Sequence, residues 1–152
     1  MTDSQRRSPA QRGMSLYAGT VGVDGMPAGC RAVALTTDES QSTLTVYVPM
    51  ATSRDLVAGV AATKKLAVVA AYPPDHSAIQ LKGTTTSVRL ANDDERALLQ
   101  DRVDGFAEEL HRLGYSLRAV RSINHWPAFA IEMKVEEIFD QTPGPKAGTA
   151  IR

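Results

Sequence analysis

A short polar cluster, Thr52, Ser53 and Arg54, separates a strand-like apolar run from a helix-like one. The cluster places two hydroxyls and a guanidinium at the start of the predicted helix. The free backbone N–H groups and the helix dipole at such a position favour an anion. The residues alone therefore leave two interpretations open, a side-chain cap for the helix and a binding site for a phosphate.

Arg31 is a second basic residue that could serve such an anion. It lies on the predicted second strand, which in a meander is hydrogen-bonded to the third. A charged side chain in the middle of a strand needs a partner. A phosphate near residues 52–54 would supply one, and it would receive charge-assisted hydrogen bonds from Arg31 and Arg54.

No catalytic set is visible among the remaining polar residues. His76, His111 and His125 are scattered and lack the close spacing of a helical zinc site. The single cysteine, Cys30, excludes an intrachain disulfide and a multi-cysteine metal site, and we interpret it as a small strand residue. No G-x-S-x-G is present, and no G-x-G-x-x-G follows a strand. The sequence therefore predicts no metal and names no catalytic residue.

Length and charge narrow the class of protein. The 152 residues are enough for one domain with a sizeable core. A net charge of zero argues against nucleic acid or an anionic membrane as the main partner. No stretch approaches the roughly 20 apolar residues of a membrane span, and no apolar segment of a secretion signal follows Arg6 and Arg7. We expect a cytoplasmic protein.

Hydrophobic periodicity predicts the element order β-β-β-α-β-β-α-β. The dipeptide Asp24-Gly25 is a hairpin signal between the first two strands. The first helix follows Pro49 and runs to about residue 65. Asn92, with Glu95 three residues later, is a capping-box pattern for the second helix. Six strands joined largely by tight turns predict a mainly β fold, a six-stranded antiparallel barrel with two flanking helices.

The later strands have clear boundaries. The fourth, over residues 66–72, is apolar on both faces and is therefore expected in the middle of the sheet. The fifth covers residues 78–91, and the last covers residues 128–140 after a loop through "HWP". The prolines of "QTPGPKAG" cannot continue a sheet.

These limits give a domain at residues 15–142, between a flexible N-terminal tail (1–14) and a C-terminal tail (143–152).

From about residue 15 to residue 148, the chain resembles the pyridoxamine 5′-phosphate oxidase-like, FMN-binding split-barrel family. The resemblance rests on the strand order and on four stretches, "GTVGVDGMPAGCRAVAL", "TVYVPMATSRDLVAGV", "YPPDHSAIQLKGT" and "FDQTPGPKAG". It implies a split β-barrel that binds FMN. It also implies a homodimer with two flavins at the subunit interface, acting on a small molecule.

The resemblance also implies roles for individual residues. By motif, Arg31, Ser53 and Arg54 would hold the FMN phosphate, with Thr52 beside them, and Gln80 would approach the flavin ring. It also implicates Lys82, which shares a strand face with Gln80. Backbone groups around Val33, Val48 and Pro49 would line the flavin ring, and Trp126 or His125 would reach the partner's cofactor.

Two departures from the family pattern bear on the activity. Asp55 stands where pyridoxamine phosphate oxidases often have a second basic residue, and their C-terminal Arg-x-His motif is missing. The expected activity is therefore that of a flavin-dependent oxidoreductase with a different substrate. The alternatives are a non-catalytic protein that stores or senses flavin, or a barrel that binds a deazaflavin or haem. For haem, a histidine would have to be the axial ligand.

Overall fold

One antiparallel sheet is the centre of the fold in a computed structural model that describes residues 7–152. Residues 1–6 of the predicted N-terminal tail lie outside the described residues. The elements in chain order are β1 (Ser15–Val21), β2 (Pro27–Ala32), β3 (Ala34–Thr37), β4 (Thr43–Pro49), a 3₁₀ helix (Met50–Thr52), α1 (Arg54–Thr63), β5 (Lys65–Ala71), β6 (Ala78–Leu90), α2 (Asp93–Arg112), α3 (Leu117–Arg121) and β7 (Ala128–Asp140).

The sheet has seven strands in the order β2-β1-β5-β6-β7-β4-β3, so the predicted number of six is wrong. The additional strand arises because the predicted second strand divides at Val33. Its first half, β2, pairs with β1, and its second half, β3, pairs with β4. Since the two edge strands are joined through one residue, the sheet curls into a split barrel. The predicted mainly β barrel fold is confirmed.

The barrel interior is filled by alternate side chains of the strands. On β5 these are Leu66, Val68 and Ala70, each at most 3% exposed. The strand lies between β1 and β6, which confirms its predicted central position. Helix α1 covers one end of the barrel, where the Thr63 hydroxyl donates a 2.9 Å hydrogen bond to the Val21 carbonyl.

The start of α1 differs from the predicted side-chain cap. Ser53 occupies the N-cap position, but neither it nor Pro49 before the 3₁₀ helix makes a side-chain capping hydrogen bond. The backbone of Ser53 has φ −109° and ψ 10°, whereas a capping side chain normally belongs to a residue in the extended region. The capping interpretation of residues 52–54 is therefore wrong.

Helix α2 lies on the outside of the barrel and begins with the predicted capping box. The Asn92 side chain accepts from the Glu95 backbone N–H at 3.0 Å, and the Glu95 carboxylate accepts from the Asn92 N–H at 2.8 Å. Leu99 and Val103 of this helix pack against Val33. Within the described residues, no helix combines the length and apolarity that crossing a membrane requires.

Helix α3 was not predicted, since the sequence indicated only a loop before the last strand. Ser116 starts it by accepting a hydrogen bond from the Ala119 N–H at 3.4 Å. Its Val120 packs against Phe106 of α2. Residues 7–152 therefore contain three α-helices where two were expected.

The last residues of the chain fold back along β7. The Ile151 N–H donates to the Ile138 carbonyl at 2.7 Å, and the Ile151 side chain packs against the barrel core. The Arg152 guanidinium donates to the carbonyls of Ser40 and Gln41 at 3.0 and 2.8 Å. The segment 143–150 between these contacts and β7 is exposed.

Glu95 should make the stability of the fold depend on pH. A bidentate contact with Arg89 and hydrogen bonds from Asn92 and Tyr47 lower the pKa of Glu95 to about 2. Since the folded pKa lies below the unfolded one, the stabilisation is complete above about pH 5 and is lost as the pH falls through 2. We expect Glu95→Gln to lower the free energy of unfolding by about 2 kcal/mol at pH 7, and by less than half as much at pH 3.

Urea unfolding of both proteins at the two pH values measures this difference. The exposed Glu132→Gln provides the control. An equal loss at both pH values for Glu95→Gln would contradict the assigned role of the ionised carboxylate.

Candidate functional site

Five residues lie side by side across the outer face of the sheet, and we call them the Arg31–Phe139 row. They are Arg31 on β2, Tyr17 on β1, Val69 on β5, Gln80 on β6 and Phe139 on β7. Directly opposed residues of antiparallel strands project to the same face. Arg31 and Gln80 are thus three strand spacings apart, about 14 Å. Two residues implicated from the sequence therefore share one surface.

Small side chains flank the row along the strands. Gly19 and Ala67 are opposed on one side of it, and Ser15 and Ala71 are opposed on the other. They leave Tyr17, the neighbour of Arg31 in the row, 49% exposed. The row is a shallow open strip that an elongated ligand could cover.

Arg31 is held in place by neutral groups. Its guanidinium donates to the Tyr17 hydroxyl at 2.6 Å and to the Ser15 hydroxyl at 3.3 Å, and it lies 5.0 Å from the ring centroid of Phe106. Its cross-strand partner is Tyr17, so the expected pairing of its strand with the third predicted strand is wrong at this position. Among residues 7–152, no carboxylate forms an ion pair with Arg31.

The polar cluster at the start of α1 divides into buried and exposed members. Ser53 is 0% exposed, and its hydroxyl has no hydrogen-bond partner in the described part of the chain. Thr52 and Arg54 are exposed, and the Arg54 side chain makes no hydrogen bond or ion pair with another described residue. Helix α1 packs against β1 and β2, the strands that carry Tyr17 and Arg31. A surface anion could therefore reach Arg54 but not the Ser53 hydroxyl.

Gln80 and Lys82 share the outer face of β6 at the other end of the row. The Gln80 side-chain oxygen accepts a hydrogen bond from the Gln141 amide at 3.3 Å. The Lys82 ammonium lies 4.7 Å from the centroid of the Phe139 ring. The register of β6 against β7 shifts immediately after Lys82, at Gly83. Because Lys82 is two residues from Gln80 on the same face and contacts Phe139, it lies beside the Gln80 end of the row.

The residues expected to line a flavin ring through their backbone are buried. Val33 joins β2 to β3, and its N–H already donates to the Tyr47 carbonyl at 2.8 Å. Val48 belongs to the barrel core, and Pro49 ends β4 opposite Ala128. The Val33 N–H is therefore not free for a ligand.

Trp126 and His125 lie in the connection between α3 and β7. Trp126 packs against the cluster that contains Val33, and the Arg96 guanidinium lies 5.4 Å from its ring centroid. The His125 Nδ1 is 3.2 Å from the Ile123 carbonyl oxygen. Their reach into a partner's site stays a prediction.

Cys30 and the histidines form no reactive group. Burial raises the pKa of the Cys30 thiol to about 11, so it is protonated at neutral pH. His76 lies in an exposed turn, and His111 Nδ1 is 3.0 Å from the Tyr115 carbonyl oxygen. Across residues 7–152, no three His, Cys, Asp or Glu side chains are grouped closely enough to hold a metal ion.

A cavity of about 860 Å³, which the sequence did not reveal, has neither Arg31 nor residues 52–54 in its lining. It is at the end of the barrel opposite α1, where β1 and β6 begin and β5 and β7 end. Its walls come from three separate stretches of the chain, around Met14, Ser77 and Thr142. No local motif could have identified it, since the stretches meet only in the folded protein.

No protein-family model and no curated protein sequence matches the chain. Solved structures do match. An F420 reductase superposes with a TM-score of 0.57 at 17% identity, over 88% of this chain and 95% of that one. An FMN-binding protein from Syntrophomonas wolfei gives 0.54 at 11% identity, over 83% and 76%. A candidate pyridoxamine 5′-phosphate oxidase from Lactobacillus delbrueckii gives 0.50 at 21% identity, over 82% and 83%.

These likenesses extend over most of both chains in each pair, so they concern the whole fold rather than one motif. At identities of 11–21% they establish the fold and leave the ligand and the reaction to be argued from this chain's own residues. The protein therefore has the split-barrel fold of the pyridoxamine 5′-phosphate oxidase-like FMN-binding proteins, as the order of its strands and motifs predicted.

Proposed function

We propose that this protein binds FMN along the Arg31–Phe139 row and is a flavin-dependent oxidoreductase acting on a small molecule. The observation that carries the proposal is the common register of Arg31 and Gln80, which the resemblance implicates through two different motifs. The names of structural neighbours, which include an FMN-binding protein, support the choice of ligand.

The phosphate would lie at the Arg31 end of the row. Arg31 offers a guanidinium that no described carboxylate neutralises, held by Tyr17 and Phe106. Arg54 and the free N–H groups at the start of α1 are further donors for a dianion. Ser53 is left out of this proposal in its present conformation because its hydroxyl is buried.

The ring system would lie toward Gln80 and Lys82. Bound FMN supplies hydride transfer at its N5 atom, so the protein has to provide orientation and electrostatics. The Gln80 amide, fixed by Gln141, can orient the ring through a hydrogen bond, and the Lys82 ammonium adds positive charge beside it. Tyr17 and Val69 would form the floor between the two ends.

In this proposal the protein is a cytoplasmic homodimer, and Trp126 or His125 of one chain completes the site of the other. A row that is open to solvent along one face leaves room for such a contribution. Oxidation of pyridoxamine phosphate is not proposed, since Asp55 and the missing Arg-x-His motif depart from that activity. Light scattering of the purified protein, with and without FMN, tests the dimer.

The proposed function is tested by titrating the purified protein with FMN and following the quenching of flavin fluorescence. We expect saturable binding, and we expect Arg54→Ala to weaken it by about 1.5 kcal/mol, roughly tenfold, because a charged hydrogen bond to the phosphate is lost. The exposed position of Arg54 puts the effect at the low end of the usual range.

Arg118→Ala on α3 is the matched control, since it removes an exposed arginine from an element that contributes no residue to the row. Unchanged affinity for Arg54→Ala would remove Arg54 from the site. Failure of the wild-type protein to bind FMN would overturn the proposed cofactor.

A deazaflavin is the second candidate ligand, because one structural neighbour is an F420 reductase. The same titration with F420 separates the two ligands. Tighter binding of F420 than of FMN would transfer the proposal to the deazaflavin, with Arg31 and Arg54 again facing its phosphate.

A further inference from the structure

The cavity at the end of the barrel opposite α1 has the size and lining of a small-molecule site. Its volume of about 860 Å³ is within the range of ligand pockets. Met14 and Ala70 on its walls are buried residues of the barrel core, and Ile79 packs against that core. The floor of the cavity is therefore apolar.

Charged groups stand at the mouth of the cavity, and the two acids among them already have hydrogen-bond partners. The Asp75 carboxylate accepts from the Ser77 hydroxyl at 2.6 Å, from the Ser77 N–H at 2.9 Å and from the Arg7 guanidinium at 3.0 Å. These contacts lower the pKa of Asp75. The Asp140 carboxylate accepts from the Thr142 N–H at 2.9 Å.

The basic groups at the mouth have fewer hydrogen-bond and ion-pair partners among the described residues. Arg7 pairs with Asp75 and lies 3.9 Å from the ring centroid of Tyr72. Lys146 is exposed, and its side chain makes no hydrogen bond or ion pair with another described residue. Its ammonium is thus a cation beside an apolar floor, where an anionic group of a ligand would find a charged partner.

We propose that this cavity binds a compact amphiphilic anion, with an apolar body on the Met14, Ala70 and Ile79 floor and a carboxylate against Lys146. The proposed flavin surface is a different one, since no residue of the Arg31–Phe139 row lines the cavity. The site therefore goes beyond the proposed flavin function and does not depend on it.

The probe for this site is 2-naphthoate, and 2-naphthalenemethanol is its neutral counterpart. Isothermal titration of the wild-type protein should give saturable binding of naphthoate. Lys146→Gln should weaken naphthoate binding about tenfold by removing one charged hydrogen bond, with no effect on the alcohol. Lys134→Gln, an exposed lysine on β7, is the matched control and should change neither affinity.

The location is tested in the unmodified protein by methyl NMR. Naphthoate should shift the methyl signals of Met14 and Ile79, while the signal of Ile131, in the core and outside the cavity lining, stays in place. Binding without these shifts would overturn the proposal, and so would an absence of saturable binding. Equal naphthoate affinity for wild type and Lys146→Gln would overturn the anionic recognition.

The titration repeated with FMN separates this proposal from the proposed function. Undiminished naphthoate binding in saturating FMN is expected, whereas displacement by FMN would locate the probe on the flavin surface and overturn the cavity site. If the protein binds naphthoate in the cavity but does not bind FMN, this inference is supported and the flavin proposal is contradicted.

Discussion

Gly83→Ala is expected to destabilise the fold by about 3 kcal/mol or more, because no space exists for a methyl group at this position. A Cβ built on Gly83 would lie 1.9 Å from the carbonyl oxygen of Lys134 on β7, an approach that the neighbouring backbone could relieve only by moving. The register of β6 against β7 shifts at this point. The glycine is therefore required for the irregular pairing of the two longest strands.

Urea unfolding measures the effect, and Gly19→Ala on β1 is the matched control. A Cβ at Gly19 has the Ala28 carbonyl oxygen as its nearest neighbour, at an ordinary contact distance of 3.8 Å. Both variants make the same chemical change inside a strand, so the difference between them isolates the close approach at Gly83. Equal stability of the two variants would show that β7 can move aside at little cost.

The effect should also extend to the candidate site, because Lys82 precedes the register shift and Gln80 lies on the same face. A moved β6 would separate Gln80 from Gln141, which now lie within a 3.3 Å hydrogen bond. If Gly83→Ala folds at low temperature, we expect it to bind FMN more weakly than the wild-type protein does. Gly19→Ala should lose much less stability than Gly83→Ala.

The strand boundaries that depend on local patterns could be predicted well. The last strand was expected at residues 128–140 and occupies Ala128–Asp140, because alternating apolar residues and a preceding proline define it. The capping box of α2 could also be predicted from the sequence, since Asn92 and Glu95 complete it within four residues. Such features depend on interactions that span one turn or one strand.

Other features depend on contacts that the local pattern does not contain. The division of the predicted second strand at Val33 falls within a continuous run of four apolar residues, 32–35, so periodicity could not reveal it. Helix α3 has five residues, too few to establish a helical period. The buried Ser53 hydroxyl depends on a backbone conformation that its residue type does not specify.

The candidate site was predicted as a set of residues but not as a surface. Motifs implicated Arg31 and Gln80 separately, while their common row depends on β1 pairing with β5 across some 50 residues of sequence. Tyr17 was missed for the same reason, because only the strand order reveals that it lies between them. An exposed tyrosine on the strand beside Arg31 would have been the available signal.

Arg31→Met should produce the largest loss of FMN affinity, about 3 kcal/mol or roughly 150-fold. Methionine keeps much of the apolar length of the side chain beside Phe106 but removes the charge. Arg31 is more enclosed than Arg54 and is fixed by Tyr17 and Ser15, so its hydrogen bonds to a phosphate would require less ordering on binding. Its loss should therefore exceed the effect of Arg54→Ala.

Tyr17→Phe tests whether Arg31 binds the FMN phosphate or only supports the sheet. This variant removes the 2.6 Å contact with the Arg31 guanidinium but leaves the charge in place. If Arg31 holds the phosphate, Tyr17→Phe should weaken FMN binding far less than Arg31→Met, and added salt should weaken wild-type binding more than that of Arg31→Met. If Arg31 only supports the sheet, both variants should lower the free energy of unfolding and leave FMN affinity and its salt dependence unchanged. In that case the flavin would have to lie elsewhere, and the common register of Arg31 and Gln80 would lose its meaning for function.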